Sequence, residues 1–238
     1  MRTVLALSIR QLAGGRRIWL MLILAAIPLV IALIFSSVES DATAAEFSDG
    51  LTNHLIASTI LPLVMLVLAT AAFGNELEDR TLSYLVLKPI ARWRIVVPKL
   101  FASLFVGGLP VILSGWVATL IITDGDPGHA ATTAVALLVG SIAYAALFTW
   151  AGLAVRHALP FGVAYIFVWE AALSSFLGGT RFLSVRQYTL AIVHGFDENR
   201  LRDVSVELGL AEGLSGAAVV AVLFTALATR RLGRMDIP

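Results

Sequence analysis

Six apolar blocks, each long enough to cross a bilayer, leave this chain almost no way to fold in water. They read as Ile18–Phe35, His54–Phe73, Leu100–Ile122, Ala131–Val155, Ala158–Gly178 and Gly213–Thr229. A spanning helix needs about 20 apolar residues. Five of the six blocks hold no Asp, Glu, Lys or Arg, and the fifth holds one acid, Glu170. Hydrophobic residues make up 58% of the chain and charged residues 14%, whereas a soluble domain carries about a quarter charged. The composition therefore excludes a soluble enzyme, a nucleic-acid binder and a disordered chain. A β-barrel is excluded as well, because its strands would alternate polar and apolar residues. The expected fold is all-α, a polytopic membrane protein of six transmembrane helices, with residues 1–238 forming one transmembrane domain. The chain has no Cys, so it has no disulfide and no thiol chemistry. Pro28, Pro62 and Pro110 fall inside blocks, where neighbouring helices can satisfy the freed carbonyls.

The basic residues orient the spans. Thirteen of the 17 lie before the first block, between the second and third, between the fourth and fifth, or after the sixth. The opposite loops hold only Arg181, Arg186, Arg200 and Arg202, together with 11 of the 16 acids. Basic loops stay in the cytoplasm, so both termini are expected there, in a multi-pass plasma-membrane protein. A signal peptide over residues 1–44 is the alternative, with Ala42-Thr43-Ala44 as its cleavage site. Its apolar core of 18 residues exceeds the usual 7–15, which favours an uncleaved first span.

Three stretches outside the blocks have pattern. In residues 3–13, Leu5, Ile9 and Leu12 share a helix face opposite Arg10 and Gln11. This segment is either an elbow lying on the cytoplasmic leaflet or a plain basic start. Between the second and third blocks, Glu76, Glu78 and Asp79 would favour a helix N-terminus. Leu82 and Leu85 would share a face, and Pro89 would end the helix. The loop thus predicts a short cytoplasmic helix, followed by an interfacial Arg92-Trp93-Arg94. Between the fifth and sixth blocks, Phe182, Val185, Thr189, Ile192 and Phe196 line one face, with Arg186, Gln187 and His194 on another. A second short outer helix would turn Leu201, Val204 and Leu208 inward. Segments this short cannot hold their own core, so they are expected at the outer membrane face, as a gate or as a fixed plug.

Chemistry is sparse. No phosphate-binding loop occurs, so any ATP-driven step needs another polypeptide. Gly213-Leu214-Ser215-Gly216 has the form that intramembrane serine proteases place at a span start, but no His follows Ser215 to serve as base. Small residues there read instead as packing. No His, Asp or Glu set has metal-ligand spacing. Glu170 stands near mid-span with Ser174 one turn on. A mid-membrane acid marks either a polar substrate path or a hydrogen-bonded packing position.

The stretch Glu76-x-Glu78-x-Arg80-Thr81-Leu82-x-x-Leu85-x-x-x-Pro89-Ile90-x-Arg92-x-x-Ile95-x-x-x-Lys99 resembles the signature of type 2 ATP-binding cassette (ABC) permeases. It falls between spans two and three, as in that family. Arg80 and Pro98 stand where the family has Gly, which bears on the local turn and on the start of the third span. The resemblance implies a coupling helix that docks on a separate ATPase subunit. Glu76, Glu78, Arg80 and Thr81 would begin the docking region, Leu82 and Leu85 would supply its apolar contact, and Pro89 and Arg92 would set its exit. It also implies export, a second permease subunit (identical or paralogous), and ATP and Mg held by the partner rather than this chain. The competing class is a stand-alone secondary transporter or channel, which would show internal repeats and several intramembrane charges. One such charge and no clear repeat are present.

Overall fold

The structure is a computed structural model that describes residues 2–14, 16–37, 43–78, 91–173, 183–197, 200–201 and 208–235. Among these residues the regular structure is entirely helical. We number the helices α1 (Arg2–Leu12), α2 (Arg16–Ser37), α3 (residues 44–78), α4 (Trp93–Ile122), α5 (Pro127–Ala154), α6 (residues 158–173), α7 (Val185–Phe196) and α8 (Leu210–Gly233). Five of them, α2, α3, α4, α5 and α8, are long and apolar enough to cross a bilayer. The fifth expected span, Ala158–Gly178, is described only as far as Leu173, in α6.

Two spans begin earlier than hydropathy places them. α3 starts at Ala44 rather than His54, with Thr43 accepting from the Glu46 N–H as a cap. The polar residues of its first turns found partners inside the protein, which a hydropathy window cannot register. α4 starts at Trp93 rather than Leu100 and runs through Pro98 without restarting. Pro98, in the second turn, has no N–H to give the Arg94 carbonyl, a loss that neighbouring groups in a helix bundle can make good. α3 and α4 each widen into π-type turns just before a proline, at Leu51–Ile60 ahead of Pro62 and at Leu104–Gly108 ahead of Pro110. There the Leu61 N–H bonds the Ile56 carbonyl and the Leu109 N–H bonds the Leu104 carbonyl, five residues back. Such a register shift gives carbonyls near a proline another donor. A third widened stretch, Tyr165–Leu173, ends α6.

α5 is the hub, with α3, α4, α6, α7 and α8 all packed on it. Its buried face is built from small residues, among them Ala136, Gly140, Ser141, Ala143, Ala145, Ala146 and Gly152. Small side chains let backbones approach closely, which in lipid replaces the hydrophobic drive to associate. α2 leans on α4 from outside and α8 on α5. Both leave large apolar side chains uncovered, such as Trp19, Ile23 and Ile34 on α2 and Val219 and Val222 on α8. α1 turns Leu5, Ile9 and Leu12 to the bundle and packs on the first turns of α4. The last turns of α8 meet that same end, where Ala228 and Leu232 join Phe73, Ile95 and Val96. The N-terminal helix and the end of α8 therefore lie at one end of the bundle, here called the basic end.

Candidate functional site

At the basic end the last turn of α3 is fastened to the second turn of α4. The Lys99 ammonium donates to the Glu76 carboxylate at 2.7 Å and to the Ala72 carbonyl, and sits 4.6 Å from the Phe73 ring centroid. Lys99 is 1% exposed and Glu76 8%. A charge buried in this way holds only with its partner, and removing one member of such a pair costs about 3–5 kcal/mol. The ends of the loop between the two helices are thereby set at a fixed separation. Glu76, expected to begin the docking region, is turned inward to Lys99 at the root of the loop. Glu78 is the final residue of α3, and Arg92 stands at the entry to α4, where its carbonyl accepts from the Ile95 and Val96 N–H groups. Arg80, Thr81, Leu82, Leu85 and Pro89 lie outside the described residues. Beside Arg92, the Arg94 guanidinium lies 5.5 Å from the centroid of the half-exposed Trp93 ring, an interfacial arrangement.

At the other end, Glu170 caps α7. Its carboxylate accepts from the Val185 N–H at 3.0 Å, the Arg186 N–H at 3.2 Å, the Ser184 hydroxyl at 2.5 Å and the Tyr165 hydroxyl at 2.8 Å. Ser184 is itself the N-cap residue, accepting from the Gln187 N–H at 3.2 Å. The first N–H groups of a helix lack partners and carry partial positive charge, so a carboxylate there is doubly favoured. Glu170 is 1% exposed and has exchanged water for these donors. The structure thus joins two positions that the sequence had set apart, Glu170 and Val185. Ser174 and Phe182 fall outside the described residues.

α7 sits deeper than a helix resting on the surface would. Val185, Gln187, Tyr188, Thr189, Leu190, Ala191, Ile192 and Val193 are all buried, Arg186 and His194 are half-buried, and Phe196 is exposed. α7 is inserted among α3, α5 and α8, and two of its polar side chains, Arg186 and His194, make hydrogen bonds outside the helix. Arg186 reaches the Asn53 side-chain oxygen of α3 at 2.7 Å. His194 meets the Arg200 carbonyl through Nδ1 at 2.9 Å.

Just beyond α7, Arg200 is buried to 1% exposure and pairs with Asp49 of α3 at 2.7 Å. It also donates to the His129 carbonyl and the Thr133 hydroxyl of α5, both at 3.1 Å. The second Asp49 oxygen accepts from the Leu201 N–H at 2.8 Å. Leu201 has a φ of +57°, costly for a side chain with a β-carbon, and this network fixes it there. Sequence reasoning had counted Arg200 and Asp49 only as outer-loop charges. Nothing local to either residue signals a pair 151 positions apart.

A family model described as ABC-2 family transporter protein matches residues 15–177, more than half of the chain. The chain belongs to the ABC-2 transporter family. It is thus the membrane-embedded permease component of an ABC transporter, a transport system whose other component is an ATPase. No curated protein matches the chain. The family match covers both helices of the Glu76–Lys99 clamp and also Glu170, whereas α7, Arg200 and α8 lie beyond it.

Two further observations bear on how this ABC-2 permease works. A β-carbon at Gly213 would stand 3.0 Å from the Ala191 β-carbon, and one at Gly216 would meet the Tyr188 ring. The Ser215 hydroxyl donates to the Glu212 carbonyl of its own helix at 3.2 Å. The Gly-x-Ser-Gly stretch is therefore where α8 presses against α7. Among the described residues, no three His, Asp or Glu side chains converge as metal ligands.

Proposed function

We propose that this permease is an exporter, worked from outside the chain by a separate ATPase subunit that docks on the loop between α3 and α4. A second permease subunit would face it across the transport path. The observation that carries this reading is the Glu76–Lys99 clamp. The loop between these helices bears the family-like signature and the apolar pair Leu82 and Leu85. Its roots are locked together, so force on the loop displaces α3 and α4 as a unit instead of merely bending the connector. α3 and α4 both pack on α5, the hub, which would spread the displacement to the opposite end. There α7 would serve as the outer gate. The basic end would be cytoplasmic, as the 13 basic residues demand, and the membrane the plasma membrane.

The test is the double substitution Leu82→Asp with Leu85→Asp in a chain co-expressed with its ATPase. The variant should insert normally but lose co-purification of the ATPase and ATP-driven transport. Retention of both would overturn the docking assignment. Transport that persists without any ATPase, driven by an ion gradient, would return the chain to the secondary-transporter class. Direction is read in inside-out vesicles, where an exporter loads cargo only when ATP is added to the exposed cytoplasmic face.

A further inference from the structure

The basic end contains a cleft that none of the preceding assignments uses. Its volume is ≈ 830 Å³, within the range of small-molecule sites. One wall is α3, through Val67 and Ala71, and another is the end of α5 with the turn into α6. The last turns of α8 close the third side. Gly152 sets its depth, because a β-carbon there would stand 2.9 Å from the Thr70 carbonyl oxygen, so only glycine lets α5 lie this close to α3.

The lining is chemically divided. Arg156 from the turn and Arg231 from α8 converge on it from two separate elements, with His157 beside them. Among the described residues no acid lines the cleft, and neither guanidinium is paired with one. The lower wall is apolar, formed by Val67, Ala71, Leu153 and the half-exposed Leu159. Both guanidiniums are exposed, free to meet a ligand that enters the cleft. Two arginines with no acidic partner among the described residues, set over an apolar floor level with the ends of spanning helices, match a molecule with an anionic head and a hydrocarbon tail. A soluble phosphate would satisfy the arginines but leave the floor unused.

We propose that this cleft holds the phosphate headgroup of an anionic phospholipid, with part of its acyl chain along Val67, Ala71 and Leu159. Arg156 and Arg231 bind the phosphate oxygens, as basic pockets between spanning helices do. The lipid ties α8 to the turn between α5 and α6, both of which pack on α5. Under the orientation above, the leaflet is the cytoplasmic one. The headgroup chemistry does not depend on that orientation.

The experiment is native mass spectrometry of the full-length chain in detergent, with phosphatidylglycerol and phosphatidylcholine added in equal amounts, alongside thermal unfolding of the same samples. The wild type should retain phosphatidylglycerol in preference and unfold at a higher temperature with it. Each arginine near a lipid phosphate contributes about fivefold, so Arg156→Gln with Arg231→Gln should cut the preference by about thirtyfold. Arg156→Lys with Arg231→Lys should keep much of it. Arg94→Gln, which changes another arginine of the basic end outside the cleft, should leave it intact. Equal retention of the two lipids, or an equal loss in Arg94→Gln, would overturn the site. Stabilisation by inorganic phosphate to the same degree as by phosphatidylglycerol would assign the cleft to a soluble anion instead. Loss of the ATPase subunit from the double Gln variant with lipid preference unchanged would make it a protein-docking surface.

Discussion

Glu76 and Lys99, the first and last residues of the stretch that resembles the ABC permease signature, lie 23 positions apart in sequence and 2.7 Å apart in the interior. The motif closes on itself in space. Its outermost residues hold the helices, and under the proposed docking those between them would serve the ATPase.

Lys99→Met should leave the Glu76 carboxylate buried without its cation and lower stability by about 3–5 kcal/mol. Glu76→Gln with Lys99→Met should recover much of that loss, since two neutral groups no longer demand pairing. Thermal unfolding in detergent reads both. If the double variant is as unstable as the single, the pair is not the interaction that matters.

Glu170→Leu should free the start of α7. Four donors lose their acceptor, and unsatisfied buried donors cost about 1–3 kcal/mol each before relaxation. Hydrogen exchange should rise at residues 185–188 while the middle of α5 stays protected. Glu170→Gln keeps one acceptor oxygen and should fall between. Unchanged exchange in Glu170→Leu would show that Ser184 alone caps the helix.

Ala191→Cys with Gly213→Cys places two thiols where the β-carbons would be 3.0 Å apart, so a slight parting of α7 and α8 brings them to the roughly 3.5–4.5 Å of a disulfide. Oxidation pins α7 to α8. If α7 is the outer gate, export should stop while ATPase activity partly survives, and reduction should restore it. Full transport by the oxidised pair would make α7 a fixed plug.

Asp126 caps α5, accepting from the Gly128 N–H at 2.8 Å and the His129 N–H at 3.4 Å. These backbone donors, Gly128 first, hold its carboxyl below the usual Asp range. The cap's contribution is therefore complete above the ordinary Asp pKa and fades as pH falls through the lower folded value. Asp126→Asn should remove that acid-side dependence. An identical pH profile for both proteins would show that the cap carries no charge-dependent stability.

The spans were legible because hydropathy is a one-dimensional quantity, summed along the chain. Their early starts at Ala44 and Trp93 were not, because those turns carry polar residues such as Asp49 and Lys99, whose partners lie on other helices. Glu170 was legible as unusual, but its partners were not, since two of the groups it binds are backbone amides with no residue signature. The helical period of α7 was visible, yet an amphipathic pattern ranks its faces without saying whether the lesser face is wet. Here that face is half-covered, with Gln187 buried and Arg186 reaching Asn53 as an acceptor within the bundle.

The anchoring of α7 has a mechanical meaning. Its first turn hangs from Glu170 on α6, and Arg200, a few residues past its last turn, is bolted to Asp49 on α3 and Thr133 on α5. The helix is a beam fixed at both ends to different supports, so it cannot rotate while those supports keep their spacing. A displacement of α6 against α3 must tilt the beam or break one fastening. The outer segment would thus report the spacing of helices whose other ends lie across the membrane, and its release would be all-or-none rather than gradual.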